Sequence, residues 1–220
     1  MIKKYSYKTD RKISLSEDFK VYEFVSHDIT TNAQADEILI DEKLVELLEK
    51  IRKQINKSLS ISSGYRTIAW NKKIGGASKS YHCRGQAADV YSLSVPSFCI
   101  AYYAKKFGAG GVEVRFDLSA NDYCHIDTRT GKKWDAINKN GNYITVSDIF
   151  LTVKKGDKNP SVYLLQNILR WYGFKISVDG IFGNETETII KAVQKLLGLD
   201  SDGIVGKKTW AVLCEADYVV

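Results

Sequence analysis

His82, Asp89 and His125 bring together two imidazoles and one carboxylate. That set suits a tetrahedral zinc whose fourth position is left to water, the arrangement of a catalytic rather than a structural metal centre. The chain has only three histidines, so the pattern commits two of them to one site. His82 and Asp89 lie in Ser80-Tyr81-His82-Cys83-Arg84-Gly85-Gln86-Ala87-Ala88-Asp89, and His125 opens His125-Ile126-Asp127-Thr128. The third histidine, His27, has no ligand-spaced partner and reads as a loop residue. Cys83 and Cys124 each adjoin a ligand candidate, but no CxxC pair accompanies them, and both read as small packing side chains. Four scattered cysteines make no disulfide scaffold, and the chain reads as made in a reducing compartment.

The elements that must position these residues are mixed. Ile38, Leu39, Leu44, Leu47, Leu48 and Ile51 give Asp36 to Gln54 the period of an amphipathic helix, with Asp36 as its N-cap. Leu59 to Ser62 reads as a short strand leading into Ser63-Gly64-Tyr65-Arg66. Val95 to Phe107 reads as a second helix, Val112 to Phe116 as a strand after a glycine turn, and Tyr123 to Asp127 as another. The first 150 residues are therefore expected to be α+β, with the ligand candidates at strand and loop ends around one sheet face.

The polar stretch Val153 to Pro160 marks a domain boundary, giving domains at 1–150 and 153–220. Beyond it, Asp179-Gly180-Ile181-Phe182-Gly183-Asn184-Glu185-Thr186 recurs as Asp202-Gly203-Ile204-Val205-Gly206-Lys207-Lys208-Thr209. Each copy is a glycine turn followed by a polar helix start. Apolar residues at helical spacing around the first copy predict a small all-α unit of three helices. This part resembles the peptidoglycan-binding domain with a D-G-x-x-G-x-x-T repeat, which implies a wall anchor. Turn chemistry alone would also select these residues, and Tyr163, Trp171 and Phe182 are candidates either for a glycan groove or for the core.

Net charge is +6 for the 220 residues, nearly all of it on residues 1–150. A basic surface suits an anionic polymer, but no basic run interleaved with aromatics points to nucleic acid. No apolar stretch approaches the roughly 20 residues needed to span a bilayer, and no secretory signal is legible at the start. The expectation is a monomer that binds neither nucleic acid nor membrane.

Residues 13–138 resemble the zinc D-alanyl-D-alanine carboxypeptidase and murein endopeptidase family, whose fold is shared with the Hedgehog signalling domain. The resemblance rests on Ser80-x-His82-x-x-Gly85-x-Ala87-Ala88-Asp89 and on His125-Ile126-Asp127-Thr128 with Gly131 and Trp134. Before them stand Ser63-Gly64-Tyr65-Arg66 and Gly75-Gly76-Ala77. It implies zinc ligands at His82, Asp89 and His125 and a substrate-binding, oxyanion-stabilising arginine at Arg66. A general base must take a proton from water and pass it to the leaving amine. Asp122, three residues before His125, holds the family's position for it. Asp127 competes, because on a strand it shares a face with His125, yet it fits equally a partner that steadies a ligand. Glu113 is a more distant third.

The implied protein is a zinc peptidase of peptidoglycan, anchored by its C-terminal domain. It would be made in the cytoplasm and released to the wall as a phage endolysin, or exported as an autolysin. The rival is a non-catalytic wall-binding protein with a structural zinc. Which amide bond is cut stays open, with Ser92 to Ser97 and Phe116 to Asn121 as loops that would decide it.

Overall fold

The computed structural model describes residues 1–25, 27–31, 36–115, 122–139 and 142–215. Strand β1 (Ile2–Ser6) leads into the single-turn helix α1 (Tyr7–Asp10), and a second short helix, α2, covers His27–Thr31. His27 thus begins a helix rather than lying in a loop, with its ring 5.0 Å from that of Trp70. The helix expected from Asp36 is divided in two. Glu37–Asp41 forms strand β2, antiparallel to β1, and helix α3 runs from Glu42 to Ile55. Asp41, not Asp36, is the N-cap, accepting from the Lys43 amide at 3.3 Å. The run Ile38-Leu39-Ile40 explains the difference: it alternates buried and part-exposed, and the pairing with β1 outweighs its helical spacing.

The main sheet has six strands in the order β3-β4-β6-β5-β7-β8. They are β3 (Ser60–Ser63), β4 (Ala87–Tyr91), β5 (Gly111–Arg115), β6 (Cys124–Asp127), β7 (Trp134–Lys139) and β8 (Asn142–Val146). Helix α4 (Ile68–Lys73) follows β3, and helix α5 (Ser97–Lys106) joins β4 to β5. All neighbours are antiparallel except β5 and β7, which are parallel. Helix α5 packs on β5 and β6, with α3 beside it.

Strand alternation divides the chemistry from the core. Ala88 and Val90 on β4, Val112 and Val114 on β5, and Cys124 and Ile126 on β6 are fully buried in one apolar cluster with Phe98, Ile100 and Leu48. The intervening residues Asp89, Glu113, His125 and Asp127 turn to the other face. No helix among the described residues is long and apolar enough to cross a membrane.

Among the described residues the C-terminal part holds three helices, α6 (Pro160–Trp171), α7 (Asn184–Leu196) and α8 (Lys207–Cys214). Its repeated motif is organised by two glutamines that the sequence reading passed over. Gln166 Nε2 donates to Asp179 Oδ1 at 2.9 Å, to the Ile181 carbonyl at 3.0 Å and to Thr186 Oγ1 at 3.3 Å. Gln194 repeats this on Asp202, Ile204 and Thr209 at the same three distances. Their Oε1 atoms accept from the Gly180 and Gly203 amides at 2.8 and 2.9 Å. The Asp, Gly and Thr of each copy therefore clamp a loop to the preceding helix. Phe182 is fully buried, so it belongs to the core of this unit.

The two parts share packing. Trp210 on α8 donates to the Leu151 carbonyl at 2.8 Å and meets the Phe150 ring edge-on at 5.3 Å. Trp171 packs edge-on against Phe98 of α5 at 5.5 Å. Val153, just before the polar stretch, is buried and bridges Val205.

Replacing Gln194 by leucine keeps the volume but takes the buried acceptor from the Gly203 amide and the buried donor from Thr209, so the loop loses its hold on α7. A loss of stability is expected, read as a lower urea midpoint.

Candidate metal centre

His82 sits in a 3-10 turn (Tyr81–Arg84) between Ser80 and Gly85. The turn ends at Gly85, whose φ of +68° is the left-handed region, and a Cβ there would run into the Leu39 carbonyl. The glycine therefore lets the turn lie against β2 and return into β4, which carries Asp89. In the antiparallel β4–β6 ladder Asp89 stands directly opposite His125, and in the β5–β6 ladder so does Glu113.

These placements bring the three ligand candidates together. His82 Nε2 is 3.1 Å from His125 Nδ1, and Asp89 Oδ1 is 2.9 Å from His125 Nδ1 and 3.3 Å from His82 Nε2. Hydrogen bonds on the far side of each ring set its tautomer. His82 Nδ1 lies 2.7 Å from the Gly64 carbonyl, which can only accept, so Nδ1 carries the proton and the Nε2 lone pair faces the cluster. His125 Nε2 lies 3.4 Å from Asp127 Oδ2, so Nδ1 is its inward nitrogen.

Two imidazole lone pairs and a carboxylate oxygen thus converge within 4.8 Å, the donor set of a divalent transition metal. Without a cation a proton takes that place. Burial lowers the His125 pKa, but hydrogen bonds to Asp127 and Asp89 more than reverse this and push it up to about 9. Burial works likewise against the Asp89 charge, and the two histidines outweigh it, holding the carboxyl below its ordinary range. The cluster is built to surround positive charge.

Asp127 is fully buried behind His125. Arg129 clamps it: its Nε is 2.9 Å from both carboxylate oxygens, its backbone amide donates to Oδ1 at 3.0 Å, and its Nη2 also pairs with Oδ2. Burial raises the Asp127 pKa, and the bonds to His125 and Arg129 bring it down to about 2. A Cβ on Gly111 would lie 2.5 Å from Asp127 Oδ2, so the glycine gives this carboxylate its space. Arg66 Nη2 holds Asp89 Oδ2 at 2.5 Å, while its Nε donates to Ser63 Oγ at 2.8 Å.

The cluster lies in a cleft of about 760 Å³. Arg66, Lys79, Arg84 and Arg129 line it, as do Tyr81, Tyr123, Trp134 and Tyr143. Asp89 and Glu113 are the carboxylates among the described lining residues. Glu113 is buried and accepts from Asn138 Nδ2 at 3.0 Å; burial lifts its pKa, with Asn138 opposing. Asp122 stands half-buried just ahead of Tyr123 at the entry to β6. Cys124 is buried on the opposite face of β6 and Cys83 is half-buried; neither joins the metal-ligating group. The loop Phe116 to Asn121, expected to influence specificity, lies outside the described residues.

Lys79, Arg84 and Arg129 escaped the sequence reading. Arg129 alone had a signal, since two residues beyond Asp127 it would share a face with it on an extended chain.

Residues 17–127 match the family model described as Peptidase M15, and residues 158–213 match that of a peptidoglycan binding domain. The chain is 30% identical to the zinc D-Ala-D-Ala carboxypeptidase of Streptomyces albus G, over 37% of this chain and 32% of that protein. It is 34% identical to the peptidoglycan L,D-endopeptidase MepK of Escherichia coli K12, over 36% of this chain and 44% of that one. It therefore spans less than half the length of these curated relatives. The crystal structure of the SleB N-terminal domain is 34% identical over 30% of this chain and 93% of that one, with a TM-score of 0.29.

Because Asp127 steadies the ring that offers Nδ1, Asp127→Asn should weaken zinc binding by about 10–100-fold, measured by competition with a chelating dye. Unchanged affinity would leave Asp127 without that role.

Proposed function

The chain belongs to the peptidase M15 family, and on that footing we propose that it is a zinc-dependent peptidase of peptidoglycan, cutting an amide bond of the stem peptide or cross-bridge while residues 158–213 hold it on the wall. The observation that carries this reading is the convergence of His82, Asp89 and His125, each with its acceptor turned inward, on the floor of an open cleft. Zinc held there would supply Lewis acidity, polarising the scissile carbonyl and making a water more acidic.

The chain's own residues supply the rest. Asp127 and Arg129 fix the plane of His125. Arg66 lines the cleft and keeps Asp89 in place, and its permanent charge can stabilise negative charge developing on the carbonyl oxygen. Proton transfer falls to a carboxylate, and Asp122 has the spacing for it. Glu113 is the second reading, favoured by its position: it lines the cleft and stands across the ladder from His125. The wall-binding part raises the local concentration of substrate without touching the reacting bond.

Isolated peptidoglycan incubated with the full chain should release new amino termini, seen by mass spectrometry, and a zinc chelator should abolish the release. Wall binding with no new termini would reduce the chain to an anchor. Asp122→Asn and Glu113→Gln separate the two base assignments. The true base should lose about 10²–10⁴-fold in kcat with zinc still bound, and the other variant should lose far less.

A further inference from the structure

Among the described residues four cationic side chains line the cleft, and two of them already have carboxylate partners: Arg66 pairs with Asp89, and Arg129 with Asp127. The other two, Lys79 and Arg84, are exposed, and among the described residues neither meets a carboxylate at ion-pair distance. Arg84 is nonetheless held. Its guanidinium carbon stands 4.9 Å from the centre of the Tyr81 ring. Arg129 lies 4.5 Å from the same ring and 4.9 Å from that of Trp134, and Trp134 meets His125 edge-on at 5.9 Å. A ladder of alternating guanidinium and aromatic groups therefore runs from the His125 ligand out to Arg84.

Stacking orders a guanidinium without using its N–H donors, which lie in its plane. An arginine ordered in this way and not neutralised is prepared for an anion, because the entropy of fixing its side chain has already been lost. The planar fork selects a carboxylate, which it can meet with two parallel hydrogen bonds. Lys79 adds a second positive charge to the lining of the cleft.

We infer that Arg84, seated on Tyr81 and assisted by Lys79, binds a free carboxylate of the peptide substrate, so that the cleft prefers stem peptides in which that group is not amidated. This rests on the peptidase reading above and narrows its substrate class. Two carboxylates of a stem peptide have the required chemistry: the C-terminal one, and the α-carboxylate of a glutamate linked through its side chain.

Three synthetic stem peptides separate the sources: one with both carboxylates free, one amidated at the C-terminus and one amidated at the glutamate. The full-length zinc-loaded chain should show about a tenfold lower kcat/KM for one of the two amides, mostly through KM, and less of a difference at high salt. The amide that suffers identifies the carboxylate. In Arg84→Gln the ratio of acid to amide should fall close to one, and Tyr81→Leu, which removes the platform, should reduce it more than Tyr81→Phe. Equal cleavage of all three peptides, or a ratio that survives in Arg84→Gln, would overturn the inference while leaving a peptidase. Calorimetric titration of the same peptides keeps the two readings apart. If nothing is cut but the acid form binds more tightly in an Arg84-dependent manner, the peptidase reading fails and the carboxylate site stands. If nothing is cut and acid and amide bind alike, both fail.

Discussion

The arrangement depends on the register of β4 against β6. Asp89 and His125 are not neighbours in sequence; they meet because the antiparallel ladder places them opposite one another. A slip of β6 by one residue would turn His125 into the apolar layer under α5 and expose Cys124 and Ile126 in its place. The hydrophobic effect therefore specifies the metal centre indirectly. Burial of the small and branched residues fixes the register, and the register delivers the polar residues between them. His82, the one ligand candidate not on a strand, arrives by a 3-10 turn that only a glycine at position 85 allows to close against β2.

Around that register the charges are layered. Asp89 and Asp127 are buried carboxylates in a chain with a net charge of +6, and each is matched by an arginine as well as by His125. Such pairs contribute little net stability against an apolar alternative, because desolvation offsets much of the attraction. Their value here is orientational: Arg66 holds one oxygen of Asp89 and leaves the other facing the histidines, and Arg129 holds Asp127 so that it faces the outer nitrogen of His125. The C-terminal unit uses polar burial in a similar way. Gln166 and Gln194 each gather the turn that follows their helix, with α7 shared by the two copies. The visible repeat is thus half of a device whose other half is one glutamine on the preceding helix.

Much of this was legible in the sequence, for physical reasons that differ by element. Ligand candidates stand out because histidine is rare in this chain and the Ser-x-His to Asp spacing is compact. Helices α5 to α8 follow from period and turn residues. The helix start at Asp36 was misplaced because Ile38-Leu39-Ile40 satisfies both a helical and a strand pattern locally, and only the distant β1 decides between them. Strands β1, β4, β7 and β8 were not read as strands: β1 and β4 pair with segments far along the chain, and β7, with β8 beside it, joins the sheet through a parallel pairing to β5. Arg84 and Lys79 carried no pattern at all; that they line the cleft with no carboxylate partner among the described residues emerges only in three dimensions. Gln166 and Gln194 stand 13 and 8 residues before the aspartates they bind, so no fixed spacing links the two copies.

The central claim is that two imidazoles and one carboxylate hold zinc and leave a position open for chemistry. X-ray absorption at the zinc edge of the loaded full-length chain tests it most directly. The account predicts only nitrogen and oxygen donors at about 2.0–2.2 Å, with the outer-shell scattering of two imidazoles, one of which disappears in His125→Ala. A sulfur shell at about 2.3 Å, which would bring Cys83 or Cys124 into the centre, or a chain that takes up no zinc, would contradict it.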